Sequence, residues 1–154
     1  MEVSDASTTV WTWWPPDQTV GFWFRRMAHE TAVHRADAEA ALGRIGPVAA
    51  DLAIDGIDEA LDLFLAPDLA PGSIEGPVET VHLHATDADG EWLVTIGPDG
   101  LGVARGHAKG DAAARGQASD LLLWLWGRLP SDVLEVFGDP AVVARLRAAA
   151  ATVT

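Results

Sequence analysis

Two side chains suited to binding a divalent metal lie four positions apart near the middle of the segment WFRRMAHETAVHRADAEAAL, residues 23–42. They are Glu30 and His34, and on an α-helix this spacing places both on one face, about 40° apart. A carboxylate and an imidazole arranged in this way form half of a metal site or an acid–base pair. Asp37 can act as a further ligand or can hold the second imidazole nitrogen. From the residues alone, we favour a simple pair of side chains on the helix surface.

His29 directly precedes Glu30, but the string HETAVH differs from the H-E-x-x-H motif, in which both histidines share a helix face. Here His29 and His34 are separated by about 140° around the helix. We therefore expect His29 to lie outside any site formed by Glu30 and His34.

A second pair of histidines, His82 and His84, falls in a stretch where apolar and polar residues alternate, as in a half-buried β-strand. Alternate residues of a strand share one face, so the two imidazoles can bind a metal together. Such a pair on the open side of a sheet is more often simply solvated, and we favour that interpretation.

Arginine side chains are the candidates for binding an anionic ligand, because guanidinium groups recognise carboxylates in a bidentate manner. Arg128 also has a structural interpretation, since a cation is favoured near the carbonyl end of a helix. Arg115 can likewise have a structural role, in the segment that leads into that helix. The four arginines considered are Arg25, Arg26, Arg115 and Arg128. The sequence contains no Ser-His-Asp order, phosphate-binding loop or dinucleotide fingerprint.

The composition of the chain limits the classes of function. Lys and Arg number 10 against 23 Asp and Glu, and the net charge of −13 argues against binding to nucleic acid or to an anionic membrane surface. There is no Cys, so disulfides, thiolate zinc sites and cysteine nucleophiles are excluded, and any thiol must come from a cofactor. The apolar run at 121–126 is too short to span a bilayer, and residues 1–10 do not resemble a signal peptide. We expect a cytoplasmic protein.

The elements that must position these residues begin with a tryptophan-rich entry, WTWWPP, at residues 11–16. Asp17 is the predicted N-cap of a helix that starts at residue 18 or 19 and ends near Leu42. Six large aromatic residues between positions 11 and 24 either cover the core of this chain or meet a partner or a missing segment. A second helix is predicted from Val48 to Phe64, and we interpret its acidic face as solvated surface.

The pattern changes to strands after a Pro- and Gly-rich linker at residues 67–77. Strands at 81–86, 92–96 and 101–107, joined by short turns, predict an antiparallel sheet. A helix at 118–126 is apolar on all sides, so we expect it to be buried. Further strands are predicted at 111–115 and 133–137, and a final helix opens at Asp139-Pro140. The predicted fold class is α+β, with a long first helix and a second helix followed by a sheet packed with helices, and with domains at 1–47 and 48–154.

Several strings of the sequence carry a family resemblance. WTWWPPDQTVGFWFRRMAHETAVHRADAEAA, DGIDEALD, and RGQASDLLLWLWGR followed by GD resemble the actinobacterial maleylpyruvate isomerase family of mycothiol-dependent enzymes. The resemblance implies a DinB-like, metal-binding helical bundle in the N-terminal half of such a protein. It implies a smaller α+β domain, similar to sterol carrier proteins, in the C-terminal half. This chain resembles the last bundle helix and the C-terminal domain.

The resemblance also implies roles for individual residues. Glu30 and His34 match two of the family's metal ligands, with zinc the expected metal, and the remaining ligand is a histidine on an earlier bundle helix that we do not find here. Arg128 or Arg115 matches an active-site arginine of the C-terminal domain. The implied cofactor is mycothiol, whose thiolate adds to the cis double bond of the substrate and later leaves.

The expected function is therefore the C-terminal part of a metal- and mycothiol-dependent isomerase or transferase that does not form a complete active site alone. A homo-oligomer or a complementary N-terminal bundle segment would complete it, and its substrate would be a small anion. The alternative is a non-catalytic module that binds a small molecule or a partner and self-associates through its aromatic N-terminal surface. Neither hypothesis involves nucleic acid or a membrane.

Overall fold

A computed structural model describes residues 5–153, and the chain divides into two units, Met1–Gly46 and Pro47–Thr154. The N-terminal unit contains helix α1 (Val20–Ala40). Its N-cap is Thr19, whose side chain accepts a hydrogen bond from the backbone N–H of Phe22, so the prediction of Asp17 as the cap is wrong. Asp17 instead accepts a hydrogen bond from the Thr19 hydroxyl at 2.7 Å, and this bond orients the cap.

The aromatic residues before and within α1 divide between the interior and the surface. Phe22 is buried, whereas Trp11 and Phe24 are 75% and 53% exposed. The indole N–H of Trp23 donates to the backbone oxygen of Trp11, which fixes the entry segment onto the helix. Neither of the two predicted roles for these aromatics therefore accounts for all of them.

The second unit begins with a continuous helical stretch that is longer than the predicted 48–64. It consists of α2 (Ala50–Glu59), a π-helical turn (Ala60–Leu65) and the short α3 (Ala66–Asp68). Pro67, which we expected in a linker, instead lies in α3, close to the C-terminal end of this continuous helical stretch.

The acidic face of this helix is only partly solvated. Glu59 is buried, and Asp58 accepts hydrogen bonds from the Trp92 indole at 2.7 Å and from Arg105 Nε at 2.8 Å. Arg105 also donates to Asp62 at 2.5 Å. Our interpretation of the whole face as solvated surface is wrong at these positions, because the carboxylates tie the helix to the sheet.

The sheet has five strands in the order β3-β2-β1-β4-β5. The strands are β1 (Glu79–Ala85), β2 (Glu91–Gly97), β3 (Gly100–Arg105), β4 (Ala112–Gly116) and β5 (Glu135–Gly138). Three pairings are antiparallel, but β1 and β4 are parallel, so the prediction of an antiparallel sheet is wrong for this pair. The reason is that residues 106–111 return the chain from β3 to the far side of β1 before β4 begins.

The helices that cover one face of the sheet are α4 (Ala118–Leu125) and α5 (Pro140–Ala150). Both contact the central strands β1 and β4, and α4 also contacts α2. Every residue of α4 except Asp120 is buried, which confirms the prediction for this helix. The one indole in α4, that of Trp124, is satisfied by the Ser131 hydroxyl at 3.0 Å.

The elements of the second unit confirm the predicted α+β class. Among the residues described, no helix has both the length and the apolar character needed to cross a membrane.

A pair of valines tests where the core of the second unit lies. Val143 on α5 is 1% exposed, whereas Val78 just before β1 is 61% exposed. Val143→Ala should lower the free energy of unfolding by about 2 kcal/mol, because it removes two buried methyl groups and leaves a cavity. Val78→Ala should change it by less than about 0.5 kcal/mol. Urea denaturation followed by tryptophan fluorescence measures both, and equal effects would contradict this assignment of the core.

Candidate functional site

The predicted pair on α1 is in contact and accessible to solvent. Glu30 Oε2 lies 3.0 Å from His34 Nε2, and the two side chains are 34% and 65% exposed. The other imidazole nitrogen, Nδ1, lies 3.0 Å from Asp37 Oδ2. The imidazole is therefore held between two carboxylates along one side of the helix.

Glu30 and His34 are placed so that they can serve as two ligands of one metal ion. Asp37 contacts the Nδ1 side of the ring, which leaves Nε2 directed toward Glu30, and this is the geometry of a carboxylate that orients a ligating histidine. Glu30 also forms an ion pair with the buried Arg26 through its second oxygen. Within residues 5–153, no third ligating side chain forms a group with Glu30 and His34. The chemistry of the two donors fits a divalent metal, but their number does not complete its coordination.

His29 lies away from this pair, as its spacing predicts. Its side chain is on the buried side of α1 together with Phe22, Ala32 and Ala36. The opposite, exposed side of the helix is unusually apolar for a surface. The exposed residues that share it with His34 are Phe24, Met27, Ala28, Thr31 and Ala38. A helix that is apolar on both its buried and its exposed faces is typical of one that packs against neighbours on two sides.

The two arginines implied by the resemblance lie in different places. Arg115 is on β4, about half exposed, and its guanidinium is 3.7 Å from Glu135 on the neighbouring strand β5. Arg128 follows α4 and donates a hydrogen bond to the backbone oxygen of Trp126, so it interacts with the carbonyl end of the helix as its structural interpretation predicts.

Arg128 also lines a groove of about 550 Å³ together with Arg147 of α5. One terminal nitrogen of Arg147 is buried and has no hydrogen-bond partner among the described residues. Burial, reinforced by the nearby charge of Arg128, lowers the pKa of the Arg147 guanidinium below its ordinary value. An anion in the groove would satisfy this nitrogen and offset the repulsion. Arg147 is not among the arginines singled out from the sequence, where it is an ordinary cation in the last turn of a helix.

The histidines on β1 are part of a larger cluster, so the interpretation of them as simply solvated is wrong. His82 is 7% exposed, and its Nε2 lies 2.8 Å from Glu91 Oε2 on β2. His107, which follows β3, places Nδ1 2.7 Å from the same oxygen. His84 Nδ1 is 3.8 Å from the other oxygen, Oε1. Three imidazoles therefore surround one carboxylate.

The Glu91 carboxylate is stabilised in its ionised form. The hydrogen bond from His107, with a second from His82, lowers the pKa of Glu91 despite the opposing effect of burial. Neither Glu91 nor His107 was singled out from the sequence, where Glu91 is a polar residue after a turn. The one feature of the sequence that could have indicated a role for Glu91 is its position at the start of the strand that follows the histidine pair.

Comparison with known domain families assigns the chain. Residues 51–145 match the model for the MDMPI C-terminal domain, and residues 2–39 match the model for the mycothiol maleylpyruvate isomerase N-terminal domain. The chain, an α+β protein with a Glu–His pair on its first helix, belongs to this family. The resemblance stated from the sequence is thereby confirmed. No curated protein sequence matches the chain.

Solved structures similar to this chain share its sequence only weakly. The sec-alkylsulfatase Pisa1 from a Pseudomonas species has 16% identity and a TM-score of 0.48, covering 66% of this chain. This chain spans 16% of the length of that enzyme. The ubiquinone synthesis protein UbiJ-SCP2 has 19% identity and a TM-score of 0.42, with 68% of this chain and 93% of that chain covered. Sterol carrier protein 2 like 2 from Aedes aegypti has 19% identity and a TM-score of 0.36, with 80% and 96% covered.

The ionised carboxylate of Glu91 predicts a pH-dependent contribution to stability. Because the folded-state pKa lies below the unfolded value of about 4.3, the contribution is present above that pH and is lost as the pH falls through the folded-state pKa. Glu91→Gln in the presence of a chelator should therefore destabilise the protein near neutral pH, and the difference from wild type should shrink in acid. Urea denaturation on both sides of the unfolded pKa measures it. Glu135→Gln, an exposed glutamate of the same sheet, is the matched control, and an equal pH profile for both variants would contradict the assignment.

Proposed function

We propose that this protein acts in metal- and mycothiol-dependent chemistry of its family and supplies Glu30 and His34 as two of the metal's ligands. The observation that carries the proposal is the position of the His34 ring, 3.0 Å from Glu30 on one side and 3.0 Å from Asp37 on the other. In a pair of side chains that only interact on the surface, the second carboxylate, that of Asp37, would have no role. A histidine that binds a metal requires one defined tautomer, and a carboxylate next to Nδ1 fixes it.

Each residue around His34 has a defined task in this proposal. Asp37 accepts the Nδ1–H hydrogen bond and leaves the Nε2 lone pair available. Glu30 supplies an oxygen next to it, and Arg26 compensates part of the negative charge of that carboxylate. When bound, a divalent metal such as zinc would favour the thiolate form of a thiol. The chain has no Cys, so the thiol would be that of mycothiol.

The remaining coordination would come from a second copy of this chain or from another bundle segment, and we propose the second copy. Support comes from the exposed apolar side of α1, which carries Phe24 and Met27 beside His34. Burying these side chains against the same face of another copy would bring two sets of ligands together. It would also remove apolar surface from water, at about 25 cal/mol for each Å². Self-association without a metal is the alternative function, a non-catalytic interaction module.

The first test of this proposal is zinc-linked association. Zinc should shift the monomer–dimer equilibrium of the wild-type protein toward the dimer by at least about tenfold, because it binds the associated form more tightly. His34→Ala and Glu30→Gln should abolish that shift. Sedimentation equilibrium with zinc and with chelator measures it.

The matched control for this test is Glu135→Gln, which removes an exposed carboxylate from the second unit and should retain the shift. A dimer that forms equally with and without zinc, and that is unaffected by His34→Ala, would favour the interaction module instead. A monomer under all conditions would refute both forms of the proposal.

The groove that contains Arg128 and Arg147 supports binding of a small anionic substrate. Its two guanidinium groups match the charges of a dicarboxylate, and the unsatisfied nitrogen of Arg147 requires an acceptor. We therefore propose that Arg128 is the counterpart of the family's active-site arginine, because Arg115 pairs with Glu135 instead.

Binding of maleate, a cis-dicarboxylate, tests the groove. Arg147→Gln and Arg128→Gln should each weaken maleate binding by at least about tenfold, the range expected for loss of a charge-assisted hydrogen bond. Arg115→Gln is the matched control and should leave affinity unchanged. Titration followed by NMR chemical shifts reports both affinity and location. If only Arg115→Gln lost affinity for maleate, the anion would bind at Arg115 and not in the groove.

A further inference from the structure

The second unit holds a group of ligating side chains that the proposed function does not use. His82 and His84 on β1 and Glu91 on β2 have ligand atoms within 4.8 Å of one another. His107, from the segment after β3, contacts the same carboxylate. All four lie within one unit of the chain.

The sheet register explains why these residues meet. His84 is directly opposite Glu91 in the antiparallel pairing of β1 and β2, and His82 lies two residues away on the same face. The backbone N–H of Gly106 donates to the Glu91 backbone oxygen, which carries the next residue, His107, to the same place. Three adjacent segments of backbone therefore fix the cluster, and it does not depend on one flexible loop.

The inner part of the cluster is buried, and its imidazole rings pack against one another. The His82 side chain is 9% exposed and that of Glu91 is 24% exposed, so the inner part of the cluster is shielded from water. The rings of His82 and His107 are perpendicular, with centroids 5.3 Å apart, and those of His82 and His84 are 5.8 Å apart. Three imidazoles thus converge on a single carboxylate that needs only one or two of them as hydrogen-bond donors.

We propose that His82, His84, Glu91 and His107 bind a transition-metal ion, for which zinc is the probe. Tetrahedral zinc with ligands at about 2.0–2.1 Å places neighbouring donor atoms about 3.4 Å apart. The distances from the Glu91 oxygens to the three imidazoles, 2.7 to 3.8 Å, approach this spacing. The ligand atoms of His82, His84 and Glu91 all lie within 4.8 Å of one another. A metal would bind the ring nitrogens that now face the carboxylate, and each ring would keep its proton on the other nitrogen.

The donor set also defines which metals bind. Imidazole nitrogens favour zinc, copper, nickel and cobalt, whereas magnesium and calcium favour sites made entirely of oxygen ligands. His82, His84 and Glu91 supply three ligands, and the fourth position is left to His107 or to water, whereas the pair on α1 supplies only two ligands. Arg115, opposite His84 on β4, lies next to the cluster and compensates part of the charge of its neighbour Glu135.

Calorimetric titration of the metal-free, full-length protein with zinc tests the proposal. We expect one zinc per chain at this cluster and a higher melting temperature with the metal, while magnesium produces neither effect. His84→Ala should weaken zinc binding by at least about tenfold, because it removes one direct ligand. His107→Ala, at a position 80% exposed, should weaken it as well without risk to the fold.

The control variant His34→Ala separates this site from the pair on α1. The cluster site predicts that His34→Ala retains the tightly bound zinc, even if zinc-linked association is lost. Zinc binding that is unchanged in both His84→Ala and His107→Ala would overturn the cluster site. Loss of tight binding in His34→Ala alone would also overturn it and would leave the proposed function standing.

Discussion

The alternation of side chains along β1 is the constraint on which the second unit depends. Val81 and Leu83 are completely buried on the face covered by α4 and α5, so His82 and His84 must point to the other face. A shift of one residue in the pairing with β2 would place both imidazoles in the core and both aliphatic side chains outside. Because that exchange is strongly unfavourable, the hydrophobic core fixes the position of the histidines without any contribution from a ligand.

The two units present metal-ligating residues in contrasting ways. On α1 the helical repeat aligns Glu30 with His34, and a second carboxylate, that of Asp37, orients the ring, but the backbone of one helix can offer ligands from only one direction. On the sheet, neighbouring strands approach from several directions and surround Glu91. This difference in geometry, rather than residue type, is why we propose ligands from a second copy for the first group and not for the second.

The parts that the sequence could predict are those determined by local repeats. The 3.6-residue period gave α1 and its Glu30–His34 pair, and the continuous apolar run gave the buried helix α4. The prediction of Asp17 as the cap of α1 is wrong because several types of side chain suit this position, and the extended backbone at Thr19 decides where the helix begins. The rule that short turns join antiparallel strands holds for β1 to β3, whereas the segment after β3 crosses to the far side of β1, where β4 lies parallel to β1.

The cluster around Glu91 could not be predicted for a related reason. Glu91 is nine residues from His82 and sixteen from His107, and no periodicity connects such separations. They become neighbours through the hairpin register and the segment after β3. Similarly, Arg147 lies near Arg128 only because α5 packs beside the end of α4. The sequence around either residue therefore does not predict that the two are close together.

The return of the chain between β3 and β4 also has a consequence for the order of folding. Strands β1 to β3 form a meander whose contacts are local in sequence, whereas pairing of β1 with β4 joins residues such as Thr80 and Asp111, which are 31 positions apart. Local contacts close with less loss of chain entropy and form first. His82, His84, Glu91 and His107 all belong to the early meander or to the segment that immediately follows it. The histidine cluster can therefore assemble before the sheet is complete, and a metal held there would favour the correct hairpin register while the rest of the unit is still folding.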